Sequence, residues 1–212
     1  MVDLERPRDN LLKYLDREIA DKRVVEAMRR VRREAFVPPE LRHAAYDDTP
    51  LSIGFGQTIS QPFIVGLMVQ ALELKGDEKV LELGTGSGYE AAILAELARK
   101  VVTVECVPEL AESARQVLDK LAYSNIEVRV AGKILGWPEG APYDAIIVSA
   151  GAPGVPQVLV EQLAWDGRLV IPAGSRWQQD LLKVTRRRKG NRIENLGGCY
   201  FVPLIGEGAW GA

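Results

Sequence analysis

The stretch VLELGTGSGYEAA, Val80 to Ala92, decides how this 212-residue chain folds. An apolar run ends in Gly84, Gly86 and Gly88, and strong helix formers follow. That order reads as a strand, a tight turn and a helix. Glycines let the backbone turn sharply and let a ligand approach without a Cβ in the way. The helix N-terminus behind them favours negative charge or hydrogen-bond acceptors.

Outward from this turn the pattern repeats. VVTVE, IEVRV, YDAIIVSA and GRLVIPAG read as strands; PELAESARQVLDKLA and VPQVLVEQLA read as helices between them. Nearly all-apolar strands alternating with helices predict an α/β fold with a parallel sheet buried on both faces. Toward the C-terminus, DLLKVTRRRKGNRIENLGGCYFVPL reads as two longer strands joined by a turn, an antiparallel pair on one sheet edge. Upstream, residues 8–20 and 22–33 carry apolar side chains at helical spacing, among them Leu11, Leu15, Val24 and Met28. Residues 40–58 read as irregular, and a helix is predicted from Gln61 to Leu74. One domain over 1–212 is expected: an N-terminal helical and substrate-site segment (1–75), a cofactor-binding core (76–175) and C-terminal strands (176–212).

The spacing G-x-G-x-G, not G-x-G-x-x-G, bears on the ligand. Glu105 ends the second strand, about twenty residues beyond Gly84, where an acid can accept from both ribose hydroxyls of a nucleotide-like cofactor. Glu82 precedes the first glycine by two residues; a carboxylate there repels a pyrophosphate and welcomes an ammonium or sulfonium. S-adenosylmethionine has both cations, a ribose and no phosphate.

Composition narrows the rest. A formal charge of -2 gives no bulk reason to bind nucleic acid, and Arg186–Lys189 reads first as a solvated hairpin tip. The two cysteines, Cys106 and Cys199, have neither metal-ligand nor disulfide-framework spacing. With no spanning apolar run and a charged start, MVDLERPRDN, a cytoplasmic protein is expected. His43 is the single histidine, so a multi-histidine metal site is excluded.

A second stretch, GQTISQPF (Gly56 to Phe63), presents hydroxyls with no base beside them. Methyl transfer from a sulfonium is an in-line displacement, and a carboxylate acceptor is already ionised at neutral pH. No general base is then needed. A hydroxyl such as Ser60 can orient the acceptor. Ser60 also reads as the N-cap of the following helix, with Pro62 in its first turn.

These segments together resemble the protein-L-isoaspartate (D-aspartate) O-methyltransferases, class I S-adenosylmethionine-dependent methyltransferases. The likeness rests on IGFGQTISQPFIV, VLELGTGSGYEAAILAEL, LGWPEGAPYDAIIV, GRLVIPAG and FVPL. It implies a Rossmann-like, doubly wound, mostly parallel seven-stranded sheet with extra N-terminal helices. It implies methylation of the abnormal carboxyl of isoaspartyl residues in damaged proteins; a monomer acting without nucleic acid or membrane is expected. It assigns Ser60 to the active site. It assigns the cofactor to Glu82, Gly84, Thr85, Gly86, Ser87, Gly88, Glu105, Gly132 and Lys133. Thr58, Ile59, Ser60, Val202 and Leu204 fall on the substrate site, with Val202–Leu204 in a C-terminal strand. One departure stands out: Ala131-Gly132-Lys133 occupies the place of the family's Gly-Asp-Gly, whose acid accepts from the adenine amino group. Two other readings stay open: a methyltransferase for RNA or a small molecule, and a non-catalytic relative.

Overall fold

The computed structural model describes residues 4–211; the first three residues of the charged N-terminal stretch and the last residue of the 1–212 span lie outside the described residues. In chain order the elements are α1 (Glu5–Glu18), α2 (Lys22–Arg30), β1 (Leu51–Gly54), β2 (Gln57–Ile59) and α3 (Pro62–Ala71). Then come β3 (Lys79–Leu83), α4 (Tyr89–Ala95), β4 (Lys100–Glu105), α5 (Pro108–Lys120) and β5 (Ile126–Val130). Last are β6 (Tyr143–Val148), α6 (Gln157–Gln162), β7 (Leu163–Gly174), β8 (Gln179–Thr185) and β9 (Arg192–Cys199).

Seven strands form one sheet in the order β5-β4-β3-β6-β7-β8-β9. The first five pair in parallel, and β8 and β9 add antiparallel. This is the predicted Rossmann-like sheet with an antiparallel C-terminal edge. The pleat explains why its strands read as unbroken apolar runs. Along β3, Val80 joins one buried cluster with α4 and the N-terminal helices; Leu81 and Leu83 join the other. The chain winds from β3 outward to β5, then returns to β6 on the other side of β3. That reversal opens a crevice at the C-terminal ends of β3 and β6, the usual ligand position in such sheets.

Four expectations change. Residues 51–59 are a β-hairpin, not irregular chain: Gly54, Phe55 and Gly56 all take positive φ, and Leu51 pairs with Ile59. The second helix stops at Arg30, and Arg33 starts a separate short turn, where it is fully buried. Strand β7 starts at Leu163, four residues early. It bulges before Arg168, where Asp166 turns at φ 65. The C-terminal strand ends at Cys199; beyond it Pro203 makes only an isolated bridge to Gly151.

Candidate active site

A cavity of about 530 Å³ fills the crevice, within the range of small-molecule sites. Its floor is the glycine turn after β3. Gly84 has φ 96, and Gly86 has φ 51 with its Cβ position 3.3 Å from the Ile53 side chain of the β1–β2 hairpin. A side chain at Gly86 would press on the hairpin, so the turn and the hairpin approach closely through a glycine.

Glu105, almost fully buried at the end of β4, fixes this turn. Its carboxylate accepts from the Gly86 N–H at 2.8 Å and the Val107 N–H at 3.0 Å. The Cys106 thiol donates to the same carboxylate at 3.5 Å, so of about four acceptor positions about one remains for a ligand. Thr85 turns its hydroxyl inward to Thr103, 2.5 Å away. Ser87 lies on the wall, and Gly88, at φ 88, precedes α4.

Below the turn lie two buried acids. Glu82 is fully buried, does not itself line the cavity, and neither of its oxygens finds a hydrogen-bond partner among the described residues. Burial first, then the Glu90 carboxylate, hold its pKa well above the ordinary carboxylate value; the nearby Thr103 hydroxyl opposes them, and Glu105 adds a smaller upward push. Glu90, in the first turn of α4, does line the cavity. Its Oε2 accepts from the Ser149 hydroxyl, while Oε1 has no partner. Burial pushes its pKa up to about 7, and the Ser149 bond lowers it somewhat.

The opposite wall is the end of the hairpin. Thr58 is exposed on β2, Ile59 is buried, and Ser60 is half-buried; all three face the cavity. Ser60 is not the helix cap. The N-cap of α3 is Gln61, without a side-chain cap bond. Asp48 does the capping from outside: its carboxylate accepts from the Phe63 N–H and from Gln61 Nε2, each at 2.8 Å. The Ser60 carbonyl accepts from the buried Arg33 guanidinium at 3.1 Å. Arg33 also donates to the carbonyls of Ala45 (2.7 Å), Thr49 (3.0 Å) and Asp47 (3.4 Å). Among the described residues, the Ser60 hydroxyl makes no hydrogen bond.

Val202 and Leu204 complete a third wall, held by backbone bonds to Gly151 at 2.7 and 2.8 Å. A fourth is the loop 131–136, where Gly132 and Lys133 are exposed and a Cβ on Gly132 would meet nothing within 4 Å. Both cysteines also reach the cavity. Burial raises Cys106, helped by Glu105, and pushes Cys199 up to about 11, so neither is a thiolate at neutral pH. His43 is exposed on a short turn and lines no part of the cavity. Sequence reasoning missed Arg33 and Glu90. Only Glu90 had a local signal, an acid one residue into the helix after the glycines, and it reads equally well as a dipole partner.

A sequence model described as protein-L-isoaspartate(D-aspartate) O-methyltransferase matches residues 6–209. Protein-L-isoaspartate O-methyltransferase 1 of Syntrophobacter fumaroxidans is 52% identical, covering 99% of each chain. That of Geobacter metallireducens is 51% identical, over 99% of this chain and 97% of its own. Among solved structures, a protein-L-isoaspartate O-methyltransferase superposes with a TM-score of 0.84 at 28% identity, over 95% of this chain and 67% of that one. A Plasmodium falciparum protein described as a beta-aspartate methyltransferase in complex with S-adenosyl-L-homocysteine gives 0.78 at 26% identity, over 92% and 96%. With the glycine turn, Glu105 and the Ser60 wall meeting in one cavity, these likenesses place the chain in the protein-L-isoaspartate (D-aspartate) O-methyltransferase family.

Proposed function

We propose that the cavity is a two-part site of an S-adenosylmethionine-dependent protein-L-isoaspartate O-methyltransferase. The glycine-turn half seats the cofactor, and the Ser60 half holds the acceptor carboxylate. The observation that carries this division is continuity: Gly84–Ser87 and Glu105 share one cavity with Thr58–Ser60, Val202 and Leu204. The cofactor half fits its ligand. A side chain at Gly86 would press on Ile53, Glu105 keeps an acceptor position open, and the unpartnered Glu90 oxygen suits a cation over a phosphate. When bound, S-adenosylmethionine supplies an electrophilic methyl group on a sulfonium.

The chain's own residues supply positioning and desolvation. Glu105 receives ribose hydroxyls. Gly132 and Lys133 border the adenine end without a carboxylate. Ser60 donates its uncommitted hydroxyl to one acceptor oxygen and leaves the other free to attack. Thr58, Ile59, Val202 and Leu204 form the walls along which the damaged peptide lies. No base is required, and the cavity wall contains no histidine.

The partners are isoaspartyl-containing proteins, met by a monomer in the cytoplasm. Absence of nucleic-acid binding is supported by the basic run, which is spent locally. The Arg186 and Arg188 guanidiniums lie 4.4 and 5.7 Å from the Trp165 ring centroid, and Arg187 pairs with Asp166. Among the described residues no helix is long and apolar enough to cross a membrane. The test is methyl incorporation into an isoaspartyl peptide and its aspartyl twin. Labelling confined to the isoaspartyl peptide is expected; equal labelling of both, or of neither, refutes the reading.

A further inference from the structure

Glu82 and Glu90 are an arrangement the methyl transfer itself does not use. Two carboxyl groups are buried side by side on one face of the sheet, Glu82 on β3 and Glu90 on α4. Three of their four oxygens have no partner among the described residues. Among the described residues no cation offsets them. The groups that act on them are Thr103 and Glu105 of β4 and Ser149 after β6. Arg33 lies 5.9 Å from the centre of the Tyr89 ring, but its donors go to the carbonyls of Ala45, Asp47, Thr49 and Ser60. Buried carboxylates without a cation do not stay ionised, so in slightly acid solution both members of the pair carry a proton.

Position indicates what the pair awaits. In the sheet order β4-β3-β6, Glu105 closes β4, the glycine turn follows β3, and Ser149 follows β6. A nucleoside whose ribose lies on Glu105 directs its 5′ substituent across the turn, toward Ser149 and Glu90. Glu90 lines the cavity there, with Oε1 unpartnered.

We propose that Glu90 is the counter-ion of the cofactor's α-ammonium group, and that the Glu82–Glu90 pair releases one proton to solvent when that cation arrives. The balance is simple. The ammonium keeps its three protons, the Glu90 carboxyl proton leaves to buffer, Glu82 stays protonated, and Glu90 becomes a carboxylate paired with the ammonium. Ser149 remains a donor to its other oxygen and fixes its orientation. The pair thereby selects an amino-acid-bearing nucleoside over a truncated one. This rests on the glycine-turn half being the cofactor's seat.

The test is calorimetric titration at pH 6.5 in two buffers of different ionisation enthalpy. The probes are S-adenosylhomocysteine and 5′-methylthioadenosine, which lacks the amino-acid end. In the unaltered protein, S-adenosylhomocysteine releases about one proton and methylthioadenosine none. In Glu90→Gln, S-adenosylhomocysteine weakens by about tenfold or more and loses its proton release, and methylthioadenosine stays within about twofold. Absent or inverted proton exchange with S-adenosylhomocysteine overturns the proposal without any variant, as does unchanged affinity in Glu90→Gln. Glu105→Ala separates the premise: weakening of both nucleosides supports the seat. If both bind Glu105→Ala unchanged, the seat is wrong and the proposal falls with it. The acceptor peptide takes no part, so a failure of isoaspartyl selectivity would be seen separately.

Discussion

Replacing Arg33 by methionine should destabilise the protein and disable the Ser60 wall together. The guanidinium is fully buried and serves the carbonyls of Ala45, Asp47, Thr49 and Ser60, three of them at 2.7 to 3.1 Å. A hydrogen bond from a charged donor contributes about 1.5–3 kcal/mol. Set against this is the cost of keeping the charge from water, several kcal/mol. That cost is visible in a pKa drawn below the ordinary arginine value by burial, and in an Nε without a partner. Methionine removes both the charge and its cost but leaves buried carbonyls without donors. The net loss is about 3 kcal/mol. For a chain of this length that lowers Tm by roughly 6–12 °C. Lysine at 33 keeps the charge but not the planar fork, and should fall between the two. Urea unfolding measures the first effect, and kcat/KM for an isoaspartyl peptide the second. A methionine variant within about 1 kcal/mol of the parent protein would refute the claim that Arg33 organises this wall.

Four further outcomes are expected. Ser60→Ala should cut kcat/KM for the isoaspartyl peptide by about ten- to thirtyfold, one lost bond to a charged acceptor, with S-adenosylhomocysteine affinity unchanged; equal turnover would deprive Ser60 of its role. Gly132→Asp has open space for its side chain and should tighten S-adenosylhomocysteine binding by about fivefold in titration. Asp48→Ala removes the acceptor for the Phe63 N–H and should cost about 1 kcal/mol in urea. Glu90 has a folded pKa raised above the unfolded value of 4.5, to about 7, so the folded empty protein binds the extra proton. Its contribution is fully present below pH 4.5 and is lost as pH rises through about 7. Glu90→Gln should therefore gain about 2 kcal/mol on the parent between pH 5 and 8; a constant gap in urea unfolding would count against this.

What could be read from the sequence was local. The glycine turn, Glu105 two elements on, and the alternation of apolar strands with helices each lie within a few dozen residues, and each is dictated by backbone geometry. The β1–β2 hairpin escaped because its strands are only four and three residues long, too short for alternation to show. Its signal was the Gly54-Phe55-Gly56 turn. Ser60 as a cap was plausible from Ser-Gln-Pro alone. It failed because Asp48, fifteen residues before Phe63, takes the Phe63 N–H. Arg33 sits in the charged run RRVRRE and looks solvated there. Nothing local distinguishes the arginine that becomes a core donor from its neighbours. Glu82 and Glu90 are eight residues apart on different elements, so only the packing of α4 against the sheet makes them a pair.

The anchoring of Ser60 divides the labour at this position. The scaffold grips the main chain, through the guanidinium on its carbonyl and the aspartate on the next helix, and asks nothing of the side chain. Residue 60 is therefore a replaceable fitting on a fixed mount. Its chemistry can change without moving the turn, so loss of function at this position can be separated from loss of structure. That makes it the natural place to alter which acceptor the enzyme accepts.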